Sequence, residues 1–196
     1  LLVQLLPEDP EVLGLAAGLA LSAARCAARI GPAGEYVALD EQDTRLWDTR
    51  LIQWGERLLQ RAHAQGAMGR FQLEAAIQSV HTMRAQTGST DWAALALLYE
   101  GLVRVAPSLG ALVARATSLG YAHGPLLGLA ALDAIEPPLR EAFQPAWATR
   151  AHLLTMAGCR AEALVALDRA IGMTAGPRVR AGLERRRRAL LSASPG

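Results

Sequence analysis

Apolar residues recur along the chain at helical spacing, and turn-forming residues cut them into segments. Asp9-Pro10 marks a first start, because Asp can accept from the free amides of a first turn and Pro is tolerated at the first helical position. Leu13, Ala16, Ala17, Ala20, Leu21 and Ala24 then share a face, which predicts a helix from Pro10 to Ile30 stopped by Gly31-Pro32-Ala33-Gly34. Tyr36 to Leu39 suits a short strand or an extended link. A long helix is predicted from about Gln42 to about Gln65, with Leu46, Leu51, Trp54, Leu58, Leu59 and Ala62 as its apolar stripe. Gly66-Ala67-Met68-Gly69 breaks it. Phe71 to Gln86 follows, with Leu73, Ala76, Ile77 and Val80 inward. Gly88-Ser89-Thr90 turns the chain, and Thr90 is placed to cap a helix from Asp91 to Val105 carrying Trp92, Leu95, Leu98, Tyr99 and Leu102 inward. Pro107-Ser108 turns again, with Ser108 as the next cap. The opening Leu1 to Leu6 reads as the end of a helix begun earlier, so a fragment of a longer protein is expected.

The last ninety residues repeat. Leu112, Ala116 and Leu119, then Gly128, Leu132 and Ile135, return 35 positions later as Trp147, Ala151 and Leu154, then Ala163, Leu167 and Ala170. Small residues let two helices approach, and large ones fill the space between them. A shift of 34 backwards from the second-helix set gives Ala94, Leu98 and Gly101, with Leu73, Ile77 and Val80 on the partner helix. The pattern matches the tetratricopeptide repeat, whose period is about 34 and whose stacked hairpins leave a face suited to gripping polypeptide. The expected fold is all-α: a helical bundle continuing into stacked tetratricopeptide-like helical hairpins, about eight to ten helices in all. Residues 1–68 are expected as an N-terminal helical region and 69–196 as the hairpins, closed by a capping helix from about Arg178 to Leu191.

Composition supports helix. The 196 residues include 39 Ala and 33 Leu, and aromatics are 5%. All 20 basic residues are Arg, yet the net charge of +2 gives no warrant for a chain that coats nucleic acid. Cys26 and Cys159 form no CxxC pair and read as small buried residues, which argues against a zinc site or a disulfide framework. The uncharged stretch Val12 to Ala24 falls well short of the roughly 20 apolar residues of a membrane span. No phosphate-binding glycine loop, GxSxG elbow or paired-histidine metal motif occurs, so no enzyme activity, cofactor or metal is expected.

A few polar and aromatic residues remain as candidate contacts. Gln42, Asp43 and Trp47 fall at the predicted start of the long helix, as a contact surface or as a helix start with a core anchor. Gln72 and His81 lie nine residues apart and face different directions, which does not make a shared site. His81 fits a hydrogen-bonded core histidine or a groove contact. Asp91 and Trp92 pair a helix start with an aromatic anchor, and Tyr99 lines a groove or finds a buried partner for its hydroxyl. The run Glu184 to Arg188 spreads around its helix and reads as a solvated terminal turn.

One further pattern comes from comparison with a known family. Gln42-Asp43-Thr44-Arg45-Leu46-Trp47-Asp48 resembles a QDRxxWD stretch, and ordered segments follow. These are Gly69 to Ile77, Val80-His81, Thr90-Asp91-Trp92, Leu98-Tyr99, Pro107-Ser108, Gly124-Pro125 and Arg150-Ala151-His152-Leu153-Leu154, with Leu5 to Leu15 upstream. Together they resemble the C-terminal extension of extracytoplasmic-function RNA polymerase sigma factors of the group 42 type. Thr44 and Phe71 depart from the usual Arg and Tyr, and Ala114-Arg115-Ala116 stands in place of Asn-Arg-Ala. The resemblance implies a cytoplasmic tetratricopeptide-like module that regulates transcription through contacts with the N-terminal sigma domains of the same full-length protein or with RNA polymerase. Direct DNA binding by this fragment and membrane association are not expected. Gln42, Asp43, Trp47, Gln72, His81, Asp91, Trp92, Tyr99 and Arg150 are its candidate contacts. A free-standing tetratricopeptide-like scaffold and a small-molecule sensor are the alternatives.

Overall fold

The computed structural model describes residues 2–32, 34 and 36–192. Among them eleven α-helices form and no β-strand does, so the fold is all-α. The chain divides into two compact units: Leu1–Ile30 with Ala38–Pro107, and Gly31–Val37 with Ser108–Gly196. Leu1 of the opening apolar run and Ala33 of the predicted stop lie outside the described residues.

The first unit holds α1 (Leu2–Leu5), α2 (Pro10–Ala23), α3 (Thr49–Ala64), α4 (Arg70–Thr87) and α5 (Trp92–Val105). Asp9 caps α2 as expected, accepting from the amides of Glu11 and Val12, each at 2.9 Å. Helix α2 packs against both α3 and α4, and Leu13, Ala17, Leu58, Ala62 and Ala75 form the shared core. Its approach to α4 leaves no room for a side chain at Gly14, where an added Cβ would lie 2.6 Å from the Gln72 amide nitrogen. Helix α4 has Gly69 at its N-cap, so it lacks a local side-chain cap. Glu11 of α2 supplies one instead, accepting from the Phe71 amide at 3.0 Å and the Gln72 amide at 3.3 Å.

Several predicted boundaries are corrected here. The helix expected to run to Ile30 ends at Ala23, and Cys26–Arg29 form a 3-10 turn that buries Arg25 and Ala28 and leaves Cys26 exposed. The long helix does not begin near Gln42. Leu39–Glu41 and Thr44–Leu46 are 3-10 turns, and Asp48 caps α3 by accepting from Arg50 and Leu51. Leu46 and Trp54, expected inward, are exposed. Of the two readings of Tyr36 to Leu39 the strand does not form: Ala38 is extended and Leu39 opens a 3-10 turn. Asp91, and not Thr90, caps α5 through the Ala94 amide at 2.9 Å. A run of apolar spacing with no breaker carries a prediction past a turn whenever a buried side chain beyond it, such as Arg25, decides the path.

The second unit holds α6 (Leu109–His123), α7 (Pro125–Asp133), α8 (Pro137–Glu141), α9 (Gln144–Met156), α10 (Arg160–Gly172) and α11 (Pro177–Ser192). Ser108 caps α6 at the Ala111 amide, 3.1 Å away. The starts of α6 and α7 recur 35 residues later as the starts of α9 and α10. Ala116, Leu132 and Ile135 are buried, and so are their shifted partners Ala151, Leu167 and Ala170. The two hairpins stack through α7 and α6 against α9. Helix α7 stops earlier than α10 because Pro137-Pro138 excludes helical backbone at the residue before, Glu136, whose ψ is 127°. Gly128 lets α7 touch α6: an added Cβ would meet the Ala116 carbonyl oxygen at 2.7 Å and the Gly120 Cα at 2.8 Å. Helix α11 closes the stack with Leu183 in the core and Arg187 paired to Asp168 at 2.6 Å.

Gly128→Ala is expected to lower stability by about 1–3 kcal/mol, since the added methyl meets backbone that cannot yield cheaply. Gly182→Ala, in open space on α11, is expected to raise it by about 0.5–1 kcal/mol through helix propensity. Urea unfolding of the two variants beside the parent chain checks both signs.

Candidate functional site

The motif-bearing segment 39–48 is held down by one arginine of α4. Arg84 donates from Nη1 to the Asp40 carbonyl and from Nη2 to the Gln42 carbonyl, each at 2.7 Å. Its guanidinium also lies over the Trp47 ring, 5.3 Å from the centroid. A planar fork satisfies two carbonyls and stacks on an aromatic face at once, which a lysine cannot do. Gln42 and Trp47 are both buried beneath this clamp. The Trp47 indole N–H is buried and donates to no acceptor among the described residues. Asp43 is not part of the buried set. It caps the turn Thr44–Leu46 and pairs with Arg45 at 2.7 Å, and hydrogen bonding from Arg45 holds its carboxyl at about 2.

A second polar cluster joins α4 and α5 to the end of α2. Arg25 is 5% exposed. Its Nε donates to the Leu21 carbonyl at 3.4 Å and its Nη2 donates to Gln78 Oε1. One turn beyond Gln78 on α4, His81 meets Trp92 edge-on, with ring centroids 6.3 Å apart. Burial, and then the positive charges of Arg25 and Arg84, push the His81 imidazole down to about 4. Burial also raises the Tyr99 phenol; Arg25 opposes that and Glu74 adds to it. At neutral pH the cluster is therefore a buried cation beside a neutral imidazole and a neutral phenol. Such a set donates and accepts hydrogen bonds; His81 is too acidic to work as a general base near pH 7.

The remaining candidates are placed elsewhere. Gln72 is 2% exposed near the start of α4, where its Nε2 donates to the Ala67 carbonyl. Nine residues put it roughly 13 Å along the helix from His81. Asp91 is engaged as the α5 cap. Arg150 lies in the second unit, bound to Asp133 at 2.5 Å, and Arg140 shares that carboxylate at 3.0 Å. So the structure buries Gln42 and Trp47 under one clamp and brings His81 against Trp92, while Tyr99 shares with His81 the charge of Arg25. Asp43 and Asp91, next to these in the chain, are engaged as caps, and Gln72 and Arg150 lie elsewhere. Arg25, Gln78 and Arg84 are the residues that sequence reasoning missed. Arg84 had one available signal: three positions after His81 it shares that residue's helix face. Arg25, inside an apparently continuous helical run, had none.

No group of three metal-ligating side chains occurs among the described residues. No helix among them is long and apolar enough to cross a membrane.

Residues 1–63 match a family of unknown function, DUF6596. The matched span contains the segment 39–48 and stops short of α4. The chain is also similar to an uncharacterized protein of Rhizobium meliloti (strain 1021), with 34% identity over 173 residues. That match takes in 88% of this chain and 41% of the relative, so the chain spans about two-fifths of the length of the protein it resembles. No solved structure matches.

The His81 shift sets a pH dependence with a definite sign. Above about pH 7 both folded and unfolded chains hold a neutral imidazole. Between the unfolded value of 6.5 and the folded value of about 4, only the unfolded chain takes up the proton, so stability falls as pH falls. The full loss is about 3 kcal/mol and is complete below the folded value. His81→Gln is expected to flatten the stability profile across this window, and an NMR titration of the His81 ring should show its midpoint near 4.

Proposed function

We propose that the chain is the regulatory C-terminal extension of an extracytoplasmic-function sigma factor of the group 42 type. It acts on transcription initiation through contacts with the sigma domains or RNA polymerase. The observation that carries this reading is the ordered series of motif segments, from residues 5–15 through Gln42-Asp43 to Arg150-Ala151-His152-Leu153-Leu154, which follow one another in the family's order over most of the chain. Two supports stand beside it. The hairpins α6/α7 and α9/α10 repeat at 35 residues, an architecture suited to holding polypeptide. The relative from Rhizobium meliloti is more than twice as long as the matched span, with room for sigma domains beside such an extension.

In this reading the module works by differential binding in the cytoplasm. It favours one arrangement of the sigma domains, and a partner or ligand that binds one arrangement better shifts the balance. The fragment itself makes no promoter contact. A sensor reading is favoured by one feature, the buried Arg25 beside neutral His81 and Tyr99, a set suited to a small hydrogen-bonding ligand. Saturable thermal stabilisation by a metabolite, lost in Arg25→Gln, distinguishes it.

Deleting residues 108–196 from the full-length factor removes both hairpins of the second unit. The expected result in a promoter-reporter assay is a several-fold change in transcription. Unchanged transcription from a truncated protein that remains folded by circular dichroism would overturn the regulatory reading.

A further inference from the structure

The first unit leaves an apolar groove open along α1, α2 and α3. It encloses about 480 Å³ and is walled by Val3, Val12, Leu15, Leu19 and Trp54, with Gln4 as its polar member. The core takes up part of Val3 but does not account for Leu19, 63% exposed, or Trp54, 44% exposed. Val12, Leu15 and Leu19 stand at i, i+3 and i+7 on α2, a stripe about 10 Å long that spans two helical turns. That length and spacing suit the anchors of another helix laid along the groove.

The rim gives the occupant its charge. On α3 the helical neighbours of Trp54 are Arg50 four residues before and Arg57 three after, both within about 60° of it around the axis. Both are exposed, and neither side chain makes an ion pair or hydrogen bond among the described residues. Glu56 lies about 200° around the axis from Trp54 and does not offset them. The next arginine along this face, Arg61, is already engaged with the Pro7 carbonyl at 2.7 Å and with Glu8. Two cations with no ion pair among the described residues therefore flank Trp54 at the edge of the apolar slot.

We propose that this groove docks an amphipathic helix whose apolar stripe is flanked by carboxylates. Large apolar side chains of the incoming helix fill the slot against Leu15, Leu19 and Trp54, and its acidic flank meets Arg50 and Arg57. Burial supplies the affinity, and the charges fix partner choice and orientation. A flat bilayer does not fit this concavity, which a helix enters along its length. The inference stands on the groove alone and does not depend on the sigma-factor reading.

The test uses a fluorescein-labelled 18-residue helical peptide with leucines at i, i+3, i+4 and i+7 and glutamates on both flanks. A lysine-flanked copy and a copy interrupted by proline serve as comparisons. Anisotropy titration at low salt is expected to show saturable binding of the acidic peptide. Binding of the lysine-flanked and proline copies is expected to be at least tenfold weaker. Leu19→Glu, at a position 63% exposed and expected to keep the parent circular-dichroism spectrum, should weaken the acidic peptide at least tenfold. The double change Arg50→Glu with Arg57→Glu should reverse the preference toward the lysine-flanked copy, an outcome that a loss of folding cannot imitate. Three results would each overturn the proposal: equal binding of the acidic and basic peptides, indifference to both sets of substitutions, or capture of anionic phosphatidylglycerol vesicles with no peptide binding.

Discussion

The first unit depends on one close approach, the backbone of α2 against the backbone of α4 at Gly14. No side chain fits between Gly14 and the Gln72 amide, so the two helices meet there at a distance only glycine allows. The consequences run in both directions along α2. One turn before the contact, Glu11 is brought to the open amides of Phe71 and Gln72 and caps α4. Gly69 is small for the same reason, since a Cβ there would lie 2.4 Å from the Glu11 carboxylate. Three turns after the contact, Arg25 arrives at Gln78 and adds its charge to the environment of His81. The helices run parallel, so cap, contact and polar cluster occur in the same order on both. The second unit uses the same device at Gly120 and Gly128, where α6 and α7 touch and Leu153 enters beside them. An excess of alanine and glycine is thus a packing requirement as much as a propensity.

The absence of lysine has a related meaning. Where an element ends or a link crosses a helix, carbonyl oxygens are left without intrahelical donors. Arginine supplies donors at many of these places. Arg84 holds Asp40 and Gln42, Arg61 holds Pro7, Arg160 holds the Leu191 carbonyl, and Arg180 holds Thr174. Two of these guanidiniums do a second task, as Arg84 does on the Trp47 ring and Arg61 does on the Glu8 carboxylate. A lysine ammonium carries its donors on one point and does not spread them across a fork. A basic count concentrated in arginine therefore reads as clamping of chain to chain, consistent with a net charge of only +2.

How much of this was legible in the sequence follows from how locally each feature is encoded. The caps at Asp9 and Ser108 are written within three residues and were read correctly. The 35-residue register was legible because it is periodic, and the burial of Ala116, Ala151, Leu132 and Leu167 follows it. Glu11 as the cap of α4 was not legible, since its partners lie sixty residues on and Gly69 carries no side chain to announce it. Trp54 was read as core from its spacing with Leu51 and Leu58, yet the groove beside it leaves it exposed. Periodicity identifies an apolar face but not whether this chain supplies what covers it. Among the candidate site residues, Trp47, His81 and Tyr99 were found as types that need an explanation when buried. Their charged neighbours Arg25 and Arg84 were not, because a lone arginine in a helical run ordinarily faces water.

The two places where helical reading fails, 24–30 and 42–48, are also places where polar groups enter the interior outside a helix face. Arg25 follows the end of α2, and Gln42 and Trp47 lie between 3-10 turns. An uninterrupted helix would have fixed each of these side chains on a face set by its neighbours. A break frees the direction, at the cost of backbone groups that must find new partners, and here Arg84 and the Asp43 and Asp48 carboxylates provide them. Local propensity and native structure diverge most where a fold holds something besides its own core. On that ground the segment 39–48 under Arg84, within the span matched to DUF6596, is the part of the first unit whose path is set by polar clamps and caps and not by a helix face.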